Sequence, residues 1–263
     1  MFKSNKYEFT LVFLFLQKIY KMTFKKHIPN IITSLNLLSG IIALFYAVFG
    51  QLEFAGLFVV FGIGFDFFDG FAARLLNVQG ELGKQLDSMA DMVTSGVVPG
   101  IIMFQLLLRA TSNSSIETIF ELGTFEIIPF IGLLIIVASA YRLAKFNIDT
   151  RQSDSFIGLP TPANTLLIVS LSWIIAYSDL DFFTSLLKNP YILVGITVVC
   201  SYLLNAEIPL FALKFKNYSW KDNGYKFVFL AVSVALLVTM QFIAVPLIIL
   251  LYVLISVWNN NRK

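Results

Sequence analysis

Long apolar runs follow one another from end to end of this chain, and no polar linker separates them. A bilayer offers the backbone no hydrogen-bonding partner, so a chain that crosses it does so as helices or as a closed barrel. A spanning helix needs about 20 predominantly apolar residues. Eight runs can be read, over residues 30–50, 52–77, 82–108, 125–147, 163–177, 190–213, 225–241 and 245–258. The last two are short and meet near Pro246, so one long kinked helix is the alternative to two. Charged residues make up 13% of the 263 residues, against about 25% in a soluble domain. The expected fold is an all-α polytopic membrane helical bundle of about eight transmembrane helices, with residues 30–263 forming one domain.

Residues 1–29 carry Lys3, Lys6, Lys18, Lys21, Lys25 and Lys26. Their apolar centre, Leu11 to Leu16, is too short to span. No small-residue cleavage site follows it. A basic interfacial segment on the membrane surface fits this stretch, and residues 1–21 read as an upstream extension. Charge in the connections then alternates. The lysine-rich start is followed by Glu53 alone, then by Arg74 and Lys84. Next come Glu117, Glu121 and Glu126 against Arg109, then Arg142, Lys145 and Arg151. Asp179 and Asp181 follow against Lys188, then Lys214, Lys216, Lys221 and Lys226, and the tail ends in Arg262 and Lys263. By the positive-inside rule both termini are expected in the cytoplasm, across an even number of spans in the cytoplasmic (inner) membrane.

Against this apolar background four aspartates stand within residues 66–91. Asp66 and Asp69 are spaced i, i+3, and Gly70, Ala73 and Arg74 continue that helical face. Gly83, Asp87 and Asp91 repeat at i, i+4, i+8 on a second helix. Two helices with facing carboxylate pairs make an oxygen cage. Like charges that close do not all stay ionised in a low-dielectric site without cations. Hard divalent ions such as Mg2+ take oxygen ligands and bind phosphates. The plainer reading, carboxylates on a solvated helix end, fits poorly, because a solvated face mixes signs and sizes while Asp is used here each time. A helical Gly costs about 1 kcal/mol against Ala, so Gly70 and Gly83 are better explained by something large lying close to the backbone.

The stretch resembles the signature of the CDP-alcohol phosphatidyltransferases, D-x2-D-G-x2-A-R-x8-G-x3-D-x3-D, with no departure at any fixed position. The resemblance implies a transmembrane enzyme that cuts a CDP-linked lipid at its pyrophosphate, with two divalent metals, Mg2+ or Mn2+, and a homodimer. Asp66, Asp69 and Asp87 are then the expected metal ligands, with Asp91 close enough to share one. The resemblance assigns Asp91 as general base for the incoming hydroxyl, a role the residues alone do not separate from Asp87. Arg74 is an always-charged fork suited to phosphate, and Gly70 and Gly83 leave room for the nucleotide. Asn30, Thr33 and Asn36 open the first helix; they either contact the cytidine and its ribose or serve as cap and helix-packing groups.

Two further stretches bear on the acceptor. Arg142-Leu-Ala-Lys145-Phe-Asn147 and Phe156-Ile-Gly158-Leu-Pro160-Thr-Pro162-Ala163 resemble the phosphatidylserine synthase branch of the family, as does Ile28-Pro-Asn30 through Asn36-Leu-Leu-Ser-Gly40. That branch implies L-serine as acceptor and CDP-diacylglycerol as donor. Arg142 and Lys145 form a cationic pair able to take the serine carboxylate, or else are positive-inside anchors that never meet substrate. Gly158 and Pro160 are read as loop-shaping residues. The same chemistry on glycerol 3-phosphate or an inositol phosphate remains open. A metal-ion or solute transporter is the rival of another class, and the absence of internal duplication speaks against it. Cys200 and His27 are each alone, which excludes an intramolecular disulfide and a His-rich zinc site. No nucleic-acid partner is expected.

Overall fold

A computed structural model describes residues 6–111, 127–149, 151, 155–213, 217 and 219–260. Lys3, the acidic connection with Glu117, Glu121 and Glu126, Lys214, Lys216, Arg262 and Lys263 lie outside the described residues. Helix α1 (Lys6–Val48) turns into α2 (Leu52–Leu75), and α3 (Glu81–Asp91) continues through a π turn (Met92–Val97) into α4 (Val98–Thr111). A 3-10 turn (Ile128–Leu133) leads into α5 (Leu134–Ile148), then strand β1 (Ser155–Ile157) and α6 (Thr161–Tyr177). Helices α7 (Asp181–Leu187) and α8 (Pro190–Asn205) precede strand β2 (Pro209–Phe211), α9 (Trp220–Met240) and α10 (Ala244–Asn260). The two strands form a three-residue antiparallel ribbon, Ser155 opposite Phe211 and Ile157 opposite Pro209. The architecture is an all-α membrane bundle, as expected.

Its surface is inverted relative to a soluble protein. Phe45, Val137 and Val238 are 60%, 67% and 77% exposed, whereas Asn36, Thr94 and Thr165 are fully buried. Lipid covers such an exterior without cost, and the protein is an integral membrane protein. Packing inside it rests on close approach between helices rather than on expelling water. A Cβ on Gly40 would lie 2.3 Å from Thr94 Oγ1, and one on Gly62 would lie 2.6 Å from Thr94 Cγ2. These two glycines let α1 and α2 close directly onto the π turn. Ala43, Ala47, Ala55, Val59, Val98, Ile102, Ile168 and Val169 fill the apolar core that α1, α2, α4 and α6 share.

Among the described residues, five helical stretches are long and apolar enough to cross a membrane, six if the bent pair Asp181–Leu187 and Pro190–Asn205 is one span. The expectation of about eight is not reached by this measure. Thr161–Tyr177 is apolar but shorter, and Asn223–Asn260 counts once. That last stretch is nevertheless a hairpin, because the rings of Phe229 and Tyr252 are 5.8 Å apart. On one straight helix residues so far apart in sequence would be separated by roughly 35 Å. The chain reverses at Gln241, which takes a φ of 46°, and this decides for two helices over one kinked helix.

The boundary expected after residue 29 falls within a helix. Helix α1 runs unbroken from Lys6 through Pro29 to Val48. A proline removes one backbone hydrogen bond and bends a helix without ending it when the flanking turns are satisfied. Thr33 Oγ1 donates to the Pro29 carbonyl over 3.0 Å, one turn further along the helix. The N-terminal basic stretch from Lys6 onward thus continues the first spanning helix, whose apolar part is Lys25–Val48.

Candidate active site

The site begins with the turn that folds α3 back beside α2. Helix α2 ends at Leu76, and Asn77 takes the left-handed conformation, φ 53°. Val78 N donates to Ala73 O and Asn77 N to Arg74 O, over 3.0 and 3.2 Å. This is the double bond pattern of a Schellman motif, with Asn in the place glycine usually takes. It satisfies the end of α2 and reverses the chain within a few residues. Gly80 then starts α3 in extended conformation.

The reversal brings the two carboxylate sets together. Ligand oxygens of Asp66, Asp69 and Asp87 lie within 4.8 Å of one another. Asp69 is 6% exposed. Asp69 Oδ2 and Asp87 Oδ1 are buried with no hydrogen-bond donor among the described residues. No ion pair among the described residues reaches the three. Three acidic groups with oxygen atoms left over in a half-buried place suit a hard divalent cation, so the donor set fits the expected metal.

Asp91 has further partners of its own. Asn36 Nδ2 on α1 donates to Asp91 Oδ1 over 3.2 Å, and Thr94 Oγ1 donates to the Asn36 carbonyl over 3.2 Å. The π turn begins one residue after Asp91, and π turns inside α-helices recur at functional sites. Thr165 Oγ1 on α6 donates to Ser95 O within this turn, over 2.9 Å. Asp91 is therefore held from α1 on one side and through an anchored turn on the other.

Two cavities meet at the aspartates. The first, about 440 Å³, is lined by Asn30, Thr33, Asp69, Gly70, Arg74, Gly83, Lys84 and Asp87, among others. A Cβ at Gly70 would find only Arg74 Nη1, at 3.7 Å, and one at Gly83 only Asn30 Oδ1, at 3.4 Å. Both glycines border open space rather than a neighbouring helix, which suits a ligand lying on the backbone. The second cavity, about 290 Å³, is lined by Asp66, Lys84, Asp87, Ser88, Asp91, Arg142, Phe146, Asn147, Phe156, Pro160 and Thr161, among others. Arg142 is 3% exposed, donates through Nε to Leu159 O over 3.4 Å and lies over the Phe146 ring.

Most of the residues singled out from the sequence gather here, and two do not. Asn36 lines neither cavity; it is fully buried against Asp91 and Thr94. Of the two roles read from the sequence, these contacts are those of a helix-packing group. Lys145 lines neither cavity, and its Nζ bonds the Glu207 carboxylate. Arg142 and Lys145 are three residues apart on a helix, yet one turns inward and the other to the loop that precedes β2. Gly158 does shape its loop. It takes φ +79°, and a Cβ there would lie 2.7 Å from Leu204 O. Pro160, by contrast, also forms cavity wall. Lys84, Ser88, Asn147 and Phe156 were given no role from the sequence, although each lies within or beside a stretch that carries the resemblance. Glu207 had no local signal at all.

The membrane-edge loops are tied together by charge. Arg151 bonds Asp149 through Nη2 over 2.8 Å and approaches Glu207 at 3.4 Å. The Lys145 hydrogen bond, with Arg151 beside it, holds the Glu207 carboxyl below its ordinary value, and the Asp149 carboxylate raises that of Arg151.

Comparison with known proteins agrees with this arrangement. The sequence profile of the CDP-alcohol phosphatidyltransferase family matches residues 26–203. The chain is 33% identical over 186 residues to a CDP-diacylglycerol–serine O-phosphatidyltransferase of Bacillus subtilis (strain 168), covering 69% of this chain and 88% of that protein. It is 37% identical over 145 residues to the enzyme so named in Helicobacter pylori (strain J99), covering 54% of this chain and 55% of that one. An archaetidylserine synthase of Methanothermobacter thermautotrophicus is 28% identical over 157 residues, 59% of this chain and 61% of that protein.

Proposed function

The chain belongs to the CDP-alcohol phosphatidyltransferase family, and on that premise we propose that it transfers the phosphatidyl group of CDP-diacylglycerol to L-serine. CMP leaves, and phosphatidylserine remains in the bilayer. The observation that carries this reading is the meeting of two cavities at one carboxylate cluster, the second holding the buried cation Arg142. The serine-linked names of the relatives support the choice of acceptor.

In this reading the first cavity takes the CDP group. Arg74 binds a phosphate, Gly70 and Gly83 let the diphosphate lie against the backbone, and Asn30 and Thr33 face the nucleotide. Asp66, Asp69 and Asp87 hold divalent metal, Mg2+ or Mn2+ and two ions, which when bound neutralises the diphosphate charge. Serine enters the second cavity with its carboxylate on Arg142. Asp91 takes the proton of the serine hydroxyl as its oxygen bonds phosphorus and the phosphorus–oxygen bond to CMP breaks. A glycerol 3-phosphate or inositol phosphate acceptor would need more cationic side chains for its second phosphate, and Lys145 is engaged by Glu207.

We further read residues 30–263 as one catalytic domain, working as a homodimer in the cytoplasmic (inner) membrane with the aspartates toward the cytoplasm. An eight-pass arrangement with both termini cytoplasmic fits the alternating loop charges. Cysteine labels at residues 26 and 260 should react from the cytoplasmic side only, and one at residue 179 from the other side only. The test of function is the purified protein with CDP-diacylglycerol, Mg2+ or Mn2+, and a panel of serine, glycerol 3-phosphate and inositol phosphate. Serine-dependent CMP release with phosphatidylserine as lipid product is expected. Release driven by another alcohol alone would overturn the acceptor.

A further inference from the structure

Transfer between two cavities happens where they adjoin. The phosphorus comes from the first and the attacking oxygen from the second, so the bond change falls at their boundary. Lys84 and Asp87 line both cavities. Asp87 is committed to the carboxylate cluster, which leaves Lys84 as the cation that both cavities share. Arg74 reaches only the first and Arg142 only the second.

The ammonium is held in place. Lys84 Nζ donates to Asn147 O over 2.7 Å, near the C-terminal end of α5. Asn147 Nδ2 donates to Ser88 Oγ over 2.8 Å, and Ser88 Oγ donates to Lys84 O over 3.1 Å. The three residues thus close a ring of hydrogen bonds between α3 and α5. An ammonium carries three donors, so the carbonyl of Asn147 leaves N–H groups for a ligand. Helix C-termini also favour a cation.

We propose that Lys84 is a catalytic residue that hydrogen-bonds a non-bridging oxygen of the phosphate being transferred. This rests on the phosphatidyl-transfer reading above. The serine oxygen bonds phosphorus, its proton passes to Asp91, and the electron pair of the breaking bond leaves with CMP. Lys84 transfers no proton; its fixed positive charge opposes the negative charge that gathers on the non-bridging oxygens. A compact point charge suits the phosphate oxygens on which that charge gathers. The competing role is a clasp alone, in which Lys84 does no more than pin α5 to α3.

The test compares Lys84→Met, Lys84→Arg and Ser88→Ala with the unaltered full chain in detergent, using Mg2+, CDP-diacylglycerol and serine. Melting temperature, CDP-diacylglycerol Kd, serine KM and kcat are read for each. Removing one preorganised donor to developing charge lowers kcat by about 10²–10³-fold. Lys84→Met should show that loss with Kd and KM changed by only a few fold, and Lys84→Arg should recover at least about tenfold of it by restoring charge. Ser88→Ala, which opens the ring but keeps the ammonium, should lose much less. A Lys84→Met kcat within a few fold of the unaltered protein would overturn the proposal. So would a Ser88→Ala loss equal to that of Lys84→Met, or an Arg variant no better than the Met one. If Lys84→Met does not fold, Lys84→Gln is judged by the same criteria. A failure of the functional reading looks different: the unaltered protein then releases no CMP with serine, and Lys84 is tested with the alcohol that does release it.

Discussion

Asn36 on α1 and Asp91 on α3 are 55 residues apart in sequence, and the amide nitrogen of one lies 3.2 Å from the carboxylate oxygen of the other. That bond fixes the rotamer of Asp91 from outside its own helix. It gives Asp91 a partner beyond the trio of Asp66, Asp69 and Asp87, whose ligand oxygens lie within 4.8 Å of one another. Asp91→Asn should therefore keep Mg2+ and CDP-diacylglycerol binding while kcat falls by about 10²–10⁴-fold, the usual worth of a positioned base. Asn36→Ala should lower kcat by a smaller factor with the same binding constants. Equilibrium binding and steady-state kinetics on both variants check this. Loss of CDP-diacylglycerol binding in Asp91→Asn would return Asp91 to the metal ligands.

The trio predicts a different signature. Asp66→Asn, Asp69→Asn and Asp87→Asn should each raise the metal concentration needed for half-maximal rate and lower the maximal rate by roughly 10³-fold, since charge neutralisation at the phosphate is lost with the ligand. Metal titrations of CMP release measure both. Near-normal activity at low metal in any one variant would remove that residue from the set.

Arg142 and Lys145 should part company. Arg142→Ala should raise serine KM strongly with little change in the CDP-diacylglycerol Kd, because in the proposed reading the guanidinium takes the acceptor carboxylate and nothing of the donor. Lys145→Ala should leave serine KM nearly unchanged, since its ammonium is engaged by Glu207. Equal effects on serine KM would mean that the ion pair opens in the working enzyme.

The loop ion pairs predict a pH dependence with a definite sign. Glu207 has a depressed folded-state value, so its stabilising contribution is present in full above the ordinary carboxylate value and fades as pH falls through the depressed one. The melting temperature of Glu207→Gln should lie slightly below that of the unaltered chain at neutral pH, and the gap should close below about pH 4. The effect is small because the pair is exposed. A gap that widens on acidification would contradict the assignment.

The aspartate cage was legible in the sequence because its information is local. Spacings of three and four residues put the carboxylates on one face of each helix, and Asn77 supplies the turn that opposes the two faces. The partners of the site were not legible. Lys84 meets Asn147, Lys145 meets Glu207 and Asn36 meets Asp91 across 63, 62 and 55 residues of chain. Such pairings depend on which helices pack, and periodicity is silent on that. The continuity of α1 through Pro29 was not legible either, since the lysines and the short apolar centre of residues 6–29 do not show that they share one helix with residues 30–48. Length alone does not count the spans, because α6 falls short of a full span and the α9–α10 hairpin is read as one stretch until the reversal at Gln241 is seen.

The π turn at Met92–Val97 works as a keyed coupling between two lengths of one rod. On its upstream side the rotational phase is set by Asp87 and Asp91 facing α2 and Asn36. Downstream it is set by Val98, Ile102 and Met103 locking into the apolar core. In an α-helix each residue advances the phase by about 100°. Deleting one residue from the turn would swing Asp87 and Asp91 by roughly that angle against α4, aiming them away from Asp66 and Asp69 while every side chain of the site was still present. This segment should accordingly accept changes of residue far more readily than any change of length.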